Sequence, residues 1–413
     1  MAPLATHRPA AAFRSDLPSA PRDAVVERER ELAELEAAVA AAQAGAGRVV
    51  VVEGEAGMGK SRLLTVARSM ARESGLRVLA ARGLEHERDV AFGVALALLA
   101  PALRGTDATR QASLLAGPAA PAASLLAGRA AANPIAGADR GHALVHALAA
   151  LVGNLTAPST PEEEPGPLLI CLDDAQWADA SSLRCLAYLA AHVEGLPVAL
   201  AVASRLHRAG TQGQFIDGLA TTPGARALRL RPLSEAGVDR LVRAVYAEAT
   251  PAFSRACATT TQGNPFYLRE LLASAQADGL AATDEGAGEL AGLVPESVLR
   301  SVLMRMAALP PDARELASAL AVLGDEAPLR LAGALAELGD GPRAEEAADA
   351  LARARLVAPG DPLAFTHPLL RTAIHADLPA LGRSRAHRRA AALLDADRAP
   401  AEAVATHLLA ARP

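Results

Sequence analysis

Apolar positions from Glu29 to Ala44 recur at helical spacing, with Leu32, Leu35 and Val39 on one face, and Gly45 and Gly47 end the segment. The period then changes. Val49, Val50, Val51 and Val52 form a continuous β-branched run, the signature of a parallel strand buried on both faces. A glycine-rich turn follows, then a helix pattern from Ser61 to about Arg72 and a second apolar run from Leu76 to Ala80. Strand, turn, helix and strand within about thirty residues make a βαβ unit.

Residues 94–153 are rich in alanine and leucine and read as helices interrupted near Pro118 and Pro121. A Pro/Glu/Thr-rich loop from Asn154 to Pro167 precedes an apolar strand at Leu168 to Leu172, and another strand is expected at Pro197 to Ala203. After Arg231-Pro232 the strand pattern stops. Residues 233–290 read as helices, with a glycine- and acid-rich stretch at 279–292 as a candidate linker. Residues 293–378 read as helices with a short β element near Leu356 to Phe365, and 381–413 is a helical segment that stops at Pro413. Ahead of all this, the Ala/Pro/Ser character of 1–24 predicts a disordered leader. The expected domains are therefore 25–232 (α/β, parallel sheet), 233–290 (helical), 291–380 and 381–413.

Composition narrows the function. Hydrophobic residues are 51% and charged residues 21%, which is a globular balance; aromatics are 2%, so alanine, leucine and valine must fill the core. The net charge of −5 argues against a polyelectrolyte nucleic-acid binder. Cys171, Cys185 and Cys257 are far apart and form no CxxC pair, which suits a reducing cytosol. No apolar stretch is long enough and free enough of charge to span a bilayer, so a cytoplasmic protein without a membrane partner is expected. The cations are lopsided: the chain has one lysine, Lys60, among 41 basic side chains.

That lysine lies in Gly54-Glu55-Ala56-Gly57-Met58-Gly59-Lys60-Ser61, which fits the P-loop pattern GxxxxGK[ST]. The glycines let successive backbone N–H groups turn inward on a phosphate chain, and the helix that follows, with Arg62 in its first turn, points its positive end at the same phosphates. Lys60 would reach the β- and γ-phosphates of ATP, and the Ser61 hydroxyl would bind Mg²⁺. Arginine is a poor substitute for Lys60, because its planar fork is wider than a compact ammonium. The bland alternative is a glycine-rich turn with a solvated lysine.

The strand Leu168 to Leu172 ends in Asp173-Asp174. Ligands gather at the carboxyl ends of parallel strands, so Asp173 is placed to hold Mg²⁺ through its water shell and Asp174 to orient or deprotonate an attacking water. An ordinary Asp-Asp turn is the alternative. The next strand ends in Ser204-Arg205, where the cation could sense the γ-phosphate or lie on a solvated loop.

Together these residues resemble a known family. Asp173-Asp174-Ala175-Gln176-Trp177-Ala178-Asp179 resembles the DDxxWAD signature of STAND-class signalling ATPases and holds the single tryptophan. More narrowly, the chain resembles the ATPase portion of the large ATP-binding LuxR-family transcriptional regulators of the MalT-like group, over roughly residues 25–413. Val25 to Leu32 is similar to that family's N-terminal motif, hydrophobics followed by GRxxEL, with Glu27 where the family usually has glycine. Gly263-Asn264-Pro265-Phe266 resembles its GNPF element, and Phe365-Thr366-His367-Pro368-Leu369-Leu370-Arg371 its F-x-HPLLR element.

The resemblance implies a P-loop NTPase of AAA/STAND-like form. Behind it would come a helical lid, a winged-helix-like domain and the start of a TPR-like arm. It implies Arg28 near the adenine edge, Pro265 near the base and His367 near the phosphates in an ADP-closed state; a core histidine at a helix start is the alternative for His367. ATP/ADP and Mg²⁺ are the implied cofactors. An inducer or protein partner would act through the arm. DNA would be reached only through a C-terminal module that this chain lacks, and self-association would depend on nucleotide. Two other readings stay open: a stand-alone P-loop ATPase or kinase with its own substrate, and an ATP-binding scaffold that does not hydrolyse. His142 and His146 are spaced for one helix face, but no third ligand accompanies them. Arg383, Arg385, Arg388 and Arg389 form a basic cluster best read as a solvated helix face.

Overall fold

The computed structural model describes residues 25–127, 138–158, 166–206, 210–324 and 326–411. The leader expected at 1–24, the middle of the loop expected at 154–167 and the last two residues lie outside the described residues. The chain divides into two compact units, Met1–Arg231 and Pro232–Pro413.

The first unit is built on five parallel strands: β1 (Arg48–Glu53), β2 (Arg77–Arg82), β3 (Leu168–Asp173), β4 (Val198–Ser204) and β5 (Arg226–Arg229). Their order across the sheet is β2-β3-β4-β1-β5. Successive strand side chains point to opposite faces, and both faces are covered. Val49, Val51, Ile170 and Leu172 join one apolar cluster with the helices Gly93–Arg104, Ala138–Thr156 and Ala180–Ala191. Val50, Val52, Leu169 and Cys171 join a second cluster with α1 (Glu29–Gln43) and α2 (Lys60–Glu73). This double burial is why β1, β3 and β4 read as unbroken apolar runs. On the α1/α2 side β4 presents only Ala199, Ala201 and Ala203, which suits close helix approach. The structure is an α/β P-loop NTPase fold followed by a helical C-terminal part.

Strand β5 adds to the sequence reading, which names no strand between Ala203 and Arg231. It pairs with β1 at the sheet edge, and of its four residues only Leu228 is buried. Four residues with three exposed side chains give no periodic signal.

The second unit is helical apart from β6 (Glu326–Ala327) and β7 (Leu363–Ala364), a two-stranded antiparallel pair extended by a bridge between Val357 and Phe365. The linker expected at 279–292 is corrected. Thr283 caps a short helix, Asp284–Glu289, by accepting from the Gly286 N–H; Gly286 is buried and Leu290 fully so. A Cβ at Gly286 would lie 2.0 Å from the Ala281 carbonyl oxygen. The glycine there permits close backbone contact rather than a flexible joint.

Candidate functional site

The strand order brings the carboxyl ends of β3, β4 and β1 side by side. From β1 the chain enters the loop Gly54–Gly59, where Met58 anchors in the α1/α2 apolar cluster. Gly57 (φ +85°) and Gly59 (φ +92°) occupy the left-handed region. Any other L-residue there costs about 1 kcal/mol or more. Gly59 is also the residue at which α2 begins, so the first N–H groups of α2 open onto the loop.

Lys60 is buried, and its Nζ donates to the carbonyl oxygens of Gly54 and Glu55, 2.7 Å each. Burial lowers its pKa to about 8. Asp174, Asp173 and Glu55 work the other way, and Arg205 adds to the lowering. An anion in the loop would therefore favour the charged ammonium. The next residue, Ser61, lines the same small cavity as Asp173. Burial raises the Asp173 pKa, the Ser61 hydroxyl beside it opposes that rise, and the neighbouring Asp174 adds to it. Glu55, Ala56, Ser61 and Arg62 are exposed around the loop.

Asp174 leaves β3 in a left-handed conformation (φ +48°), with its N–H on the Asp173 Oδ1 at 2.9 Å. Both of its carboxylate oxygens are engaged. Arg82, aligned with Asp173 by the β2–β3 pairing, donates Nε to Oδ2 at 2.8 Å and ion-pairs the same oxygen through Nη2 at 2.6 Å. Gln176 donates Nε2 to Oδ1 at 2.8 Å. Gln176 also accepts, through Oε1, from the Ser204 hydroxyl (3.3 Å) and the Arg205 N–H (3.2 Å). The Arg205 guanidinium lies over the Trp177 ring, 5.9 Å from its centre. Gly83, next after β2, lies so close that a Cβ would sit 2.4 Å from the Asp174 carbonyl oxygen.

Asp179, the last residue of the Asp-Asp-Ala-Gln-Trp-Ala-Asp run, plays a structural part. It is 3% exposed and caps the helix Ala180–Ala191 by accepting from the Ser182 N–H at 2.8 Å. The same carboxylate accepts from the N–H groups of Phe92 (2.8 Å) and Val94 (3.2 Å), at the start of Gly93–Arg104. Ser182 adds a bond from the Ala95 N–H. One carboxylate thus ties together the starts of two helices that cover the sheet.

Lys60, Ser61, Asp173, Asp174 and Arg205 therefore meet in the first unit. Arg28, also in that unit, is buried and donates to the carbonyl oxygens of Glu27 (2.9 Å) and Arg231 (2.6 Å), holding the start of α1 to the end of the unit. Glu27 stands at φ +56°, the left-handed geometry that glycine takes without strain.

Pro265 and His367 belong to the second unit, where the structure joins their motifs. Asn264 caps the helix Pro265–Ala277, with Pro265 in its first turn. His367 caps Pro368–Asp377: Nδ1 accepts from the Leu369 N–H at 3.2 Å, and Nε2 lies 2.9 Å from the Thr261 carbonyl oxygen. That pair of contacts fits a neutral imidazole protonated at Nε2, and burial lowers the His367 pKa accordingly. Its ring packs 4.1 Å from that of Tyr267. In this arrangement both nitrogens serve local contacts.

Three residues around the site escape the sequence reading: Arg82, Gly83 and Gln176. Ending the second strand at Ala80 rather than Arg82 leaves the arginine in a loop; the β2–β3 register is what brings it to Asp174. Gln176 and Asp179 are present in the motif, but no spacing rule assigns them partners.

Residues 24–203 match the family model described as AAA ATPase domain. The Walker-type ATPase paby2304 of Pyrococcus abyssi has a similar structure, with a TM-score of 0.54, 14% identity and coverage of 87% of this chain and 98% of that one. At that identity the likeness shows the fold. A STAND protein with a tetratricopeptide repeat sensor, PH0952 of Pyrococcus horikoshii, aligns over 95% of this chain and 48% of its own, with 16% identity and a TM-score of only 0.37. A protein of Rhizobium meliloti (strain 1021), described as uncharacterized protein R02095, is 26% identical over 94% of this chain. The chain spans 38% of the length of that relative.

Proposed function

We propose that the chain is a nucleotide-operated signalling switch, an ATP-binding and slowly hydrolysing ATPase module of the LuxR-family regulator type. The observation that carries this reading is the meeting of Lys60, Ser61, Asp173 and Asp174 where β1 and β3 end. The residues present fit Mg²⁺. The Ser61 hydroxyl and Asp173 carboxylate are neighbours that line one cavity, and both are hard oxygen donors. No cluster of three or more acidic, histidine or cysteine ligands occurs among the described residues, and Mg²⁺ bound with a phosphate needs only one or two protein ligands. Bound there, Mg²⁺ would neutralise phosphate charge.

The chain's own groups supply the rest. The loop N–H groups and the Lys60 ammonium hold the phosphates, exchanging the carbonyl contacts of Lys60 for phosphate oxygens. Asp174 orients a water for attack, and Arg205 stabilises charge on the far side. In this proposal Arg28, Pro265 and His367 have their nucleotide roles from the family resemblance. So do the ADP-closed state, the winged-helix-like character of 291–380, the arm at 381–413 as receiver of an inducer or partner, nucleotide-dependent self-association and the cytoplasmic setting. No helix among the described residues is long and apolar enough to cross a membrane.

Single-turnover hydrolysis of Mg²⁺·ATP by wild type and Asp174→Asn tests the reading. A slow wild-type rate that falls by about 100-fold or more in the variant, with nucleotide still bound, is expected. Equal rates would remove Asp174 from the mechanism, and nucleotide bound by both without any hydrolysis would make the chain a scaffold.

A further inference from the structure

The contacts around Gln176 go beyond the roles given above to Lys60, Asp173, Asp174 and Arg205. Three partners fix the orientation of its amide. Oδ1 of Asp174 accepts only, so it must face the NH₂ group. The Arg205 N–H must meet the amide oxygen, and the Ser204 hydroxyl can donate to the same atom. Turning the amide over would set NH₂ against a backbone N–H and the amide oxygen against a carboxylate. The three contacts thus specify one rotamer state.

Ser204 in turn reaches the loop. It is fully buried, and its carbonyl oxygen accepts from the Gly54 N–H at 3.3 Å, the first residue of the phosphate loop. A continuous hydrogen-bonded path therefore runs from Gly54 through Ser204 and Gln176 to Asp174. Asp174 needs such a guide. Its backbone is in a left-handed conformation that a non-glycine residue adopts at a cost, and Arg82 holds Oδ2 from the other side. Arg82 and Gln176 grip opposite oxygens, so the carboxylate plane is set by both, and Gln176 links it to the loop through Ser204.

We propose that Gln176 is a positioning residue that sets the Asp174 carboxylate for water activation and couples it, through Ser204, to the state of the phosphate loop. The inference rests on the reading of Asp174 as the group that orients water. It makes Gln176 silent in binding and decisive in the chemical step, because it touches Asp174 but donates nothing to the loop.

The test compares wild type, Gln176→Ala, Gln176→Glu, Ser204→Ala and Asp174→Asn by single-turnover hydrolysis of Mg²⁺·ATP, with equilibrium titration of the same nucleotide. Thermal melts check that each variant folds. Gln176→Ala should slow hydrolysis at least about fivefold, as loss of a positioning contact does, with affinity within twofold of wild type. Gln176→Glu should be slower still, since it sets a carboxylate against a carboxylate. Ser204→Ala should slow hydrolysis less, and adding it to Gln176→Ala should cost little more. If Asp174→Asn is impaired while Gln176→Ala hydrolyses like wild type, or loses affinity and rate in parallel, the role given to Gln176 is wrong. If Asp174→Asn itself hydrolyses like wild type, the reading of Asp174 fails first, and the role of Gln176 fails with it.

Discussion

Single residues carry two kinds of duty in the acidic motif, and sequence separates them poorly. Lys60 is legible at once, because a chain with one lysine keeps it where arginine's fork would not fit. Asp173 and Asp174 are legible as acids ending an apolar strand. Asp179 sits in the same run, yet its carboxylate accepts only backbone N–H groups. Its partners at Phe92 and Val94 are more than eighty residues away in sequence, so no local pattern could have disclosed them. Asp179→Ala should lower unfolding stability by roughly 2–4 kcal/mol, the loss of a cap plus unpaired buried donors. Chemical denaturation measures this. A change under about 0.5 kcal/mol would mean that water or a neighbour replaces the carboxylate.

Elements were most legible where burial is two-sided. The runs of β1, β3 and β4 have no polar face to confuse the pattern, and their ends fall within one residue or so of the sequence expectation. Legibility fails at β5, at β6 and at the supposed linker, where a few residues are held by partners distant in sequence. Histidines give the second unit an element-scale property that no motif announces. His375, on Pro368–Asp377, lies 3.1 Å from His387, on Ala380–Ala396; His387 lies 2.9 Å from His407, on Ala401–Ala410. Each short N···N contact needs one N–H and one lone pair, so the chain of rings favours neutral imidazoles. Arg371 and Arg383 face the same rings.

Burial lowers the pKa of all three, His375 to about 4, and the neighbouring cations and imidazoles lower His375 and His387 further. Folded pKa values below the unfolded value near 6.5 mean that these contacts stabilise fully above about pH 6.5. The stabilisation is lost as pH falls from there towards 4. Amide exchange in Ala401–Ala410, corrected for intrinsic rates, should therefore accelerate between pH 7 and pH 4.5, and His407→Asn should flatten that dependence. Exchange that is independent of pH in wild type would contradict the neutral chain.

In the proposed switch, nucleotide chemistry belongs to the unit that ends at Arg231, and the helical unit from Pro232 reads it. Lys60, Ser61, Asp173 and Asp174 converge in the first unit. Pro265 and His367, to which the family resemblance gives the reading role, were legible as motifs but not as contacts. The structure explains why they could be seen at all: Asn264 and His367 both cap helices that begin with proline, so the motifs mark helix starts as well as any nucleotide role.

The central claim is that the loop around Lys60 holds a nucleotide phosphate chain. Calorimetric titration of wild type and Lys60→Ala with Mg²⁺·ATP and Mg²⁺·ADP tests it most directly. Saturable binding with one site per chain in wild type, and loss of binding by about 100-fold or more in Lys60→Ala, is the expected result. Affinity for both nucleotides unchanged by removing the lysine would contradict the account.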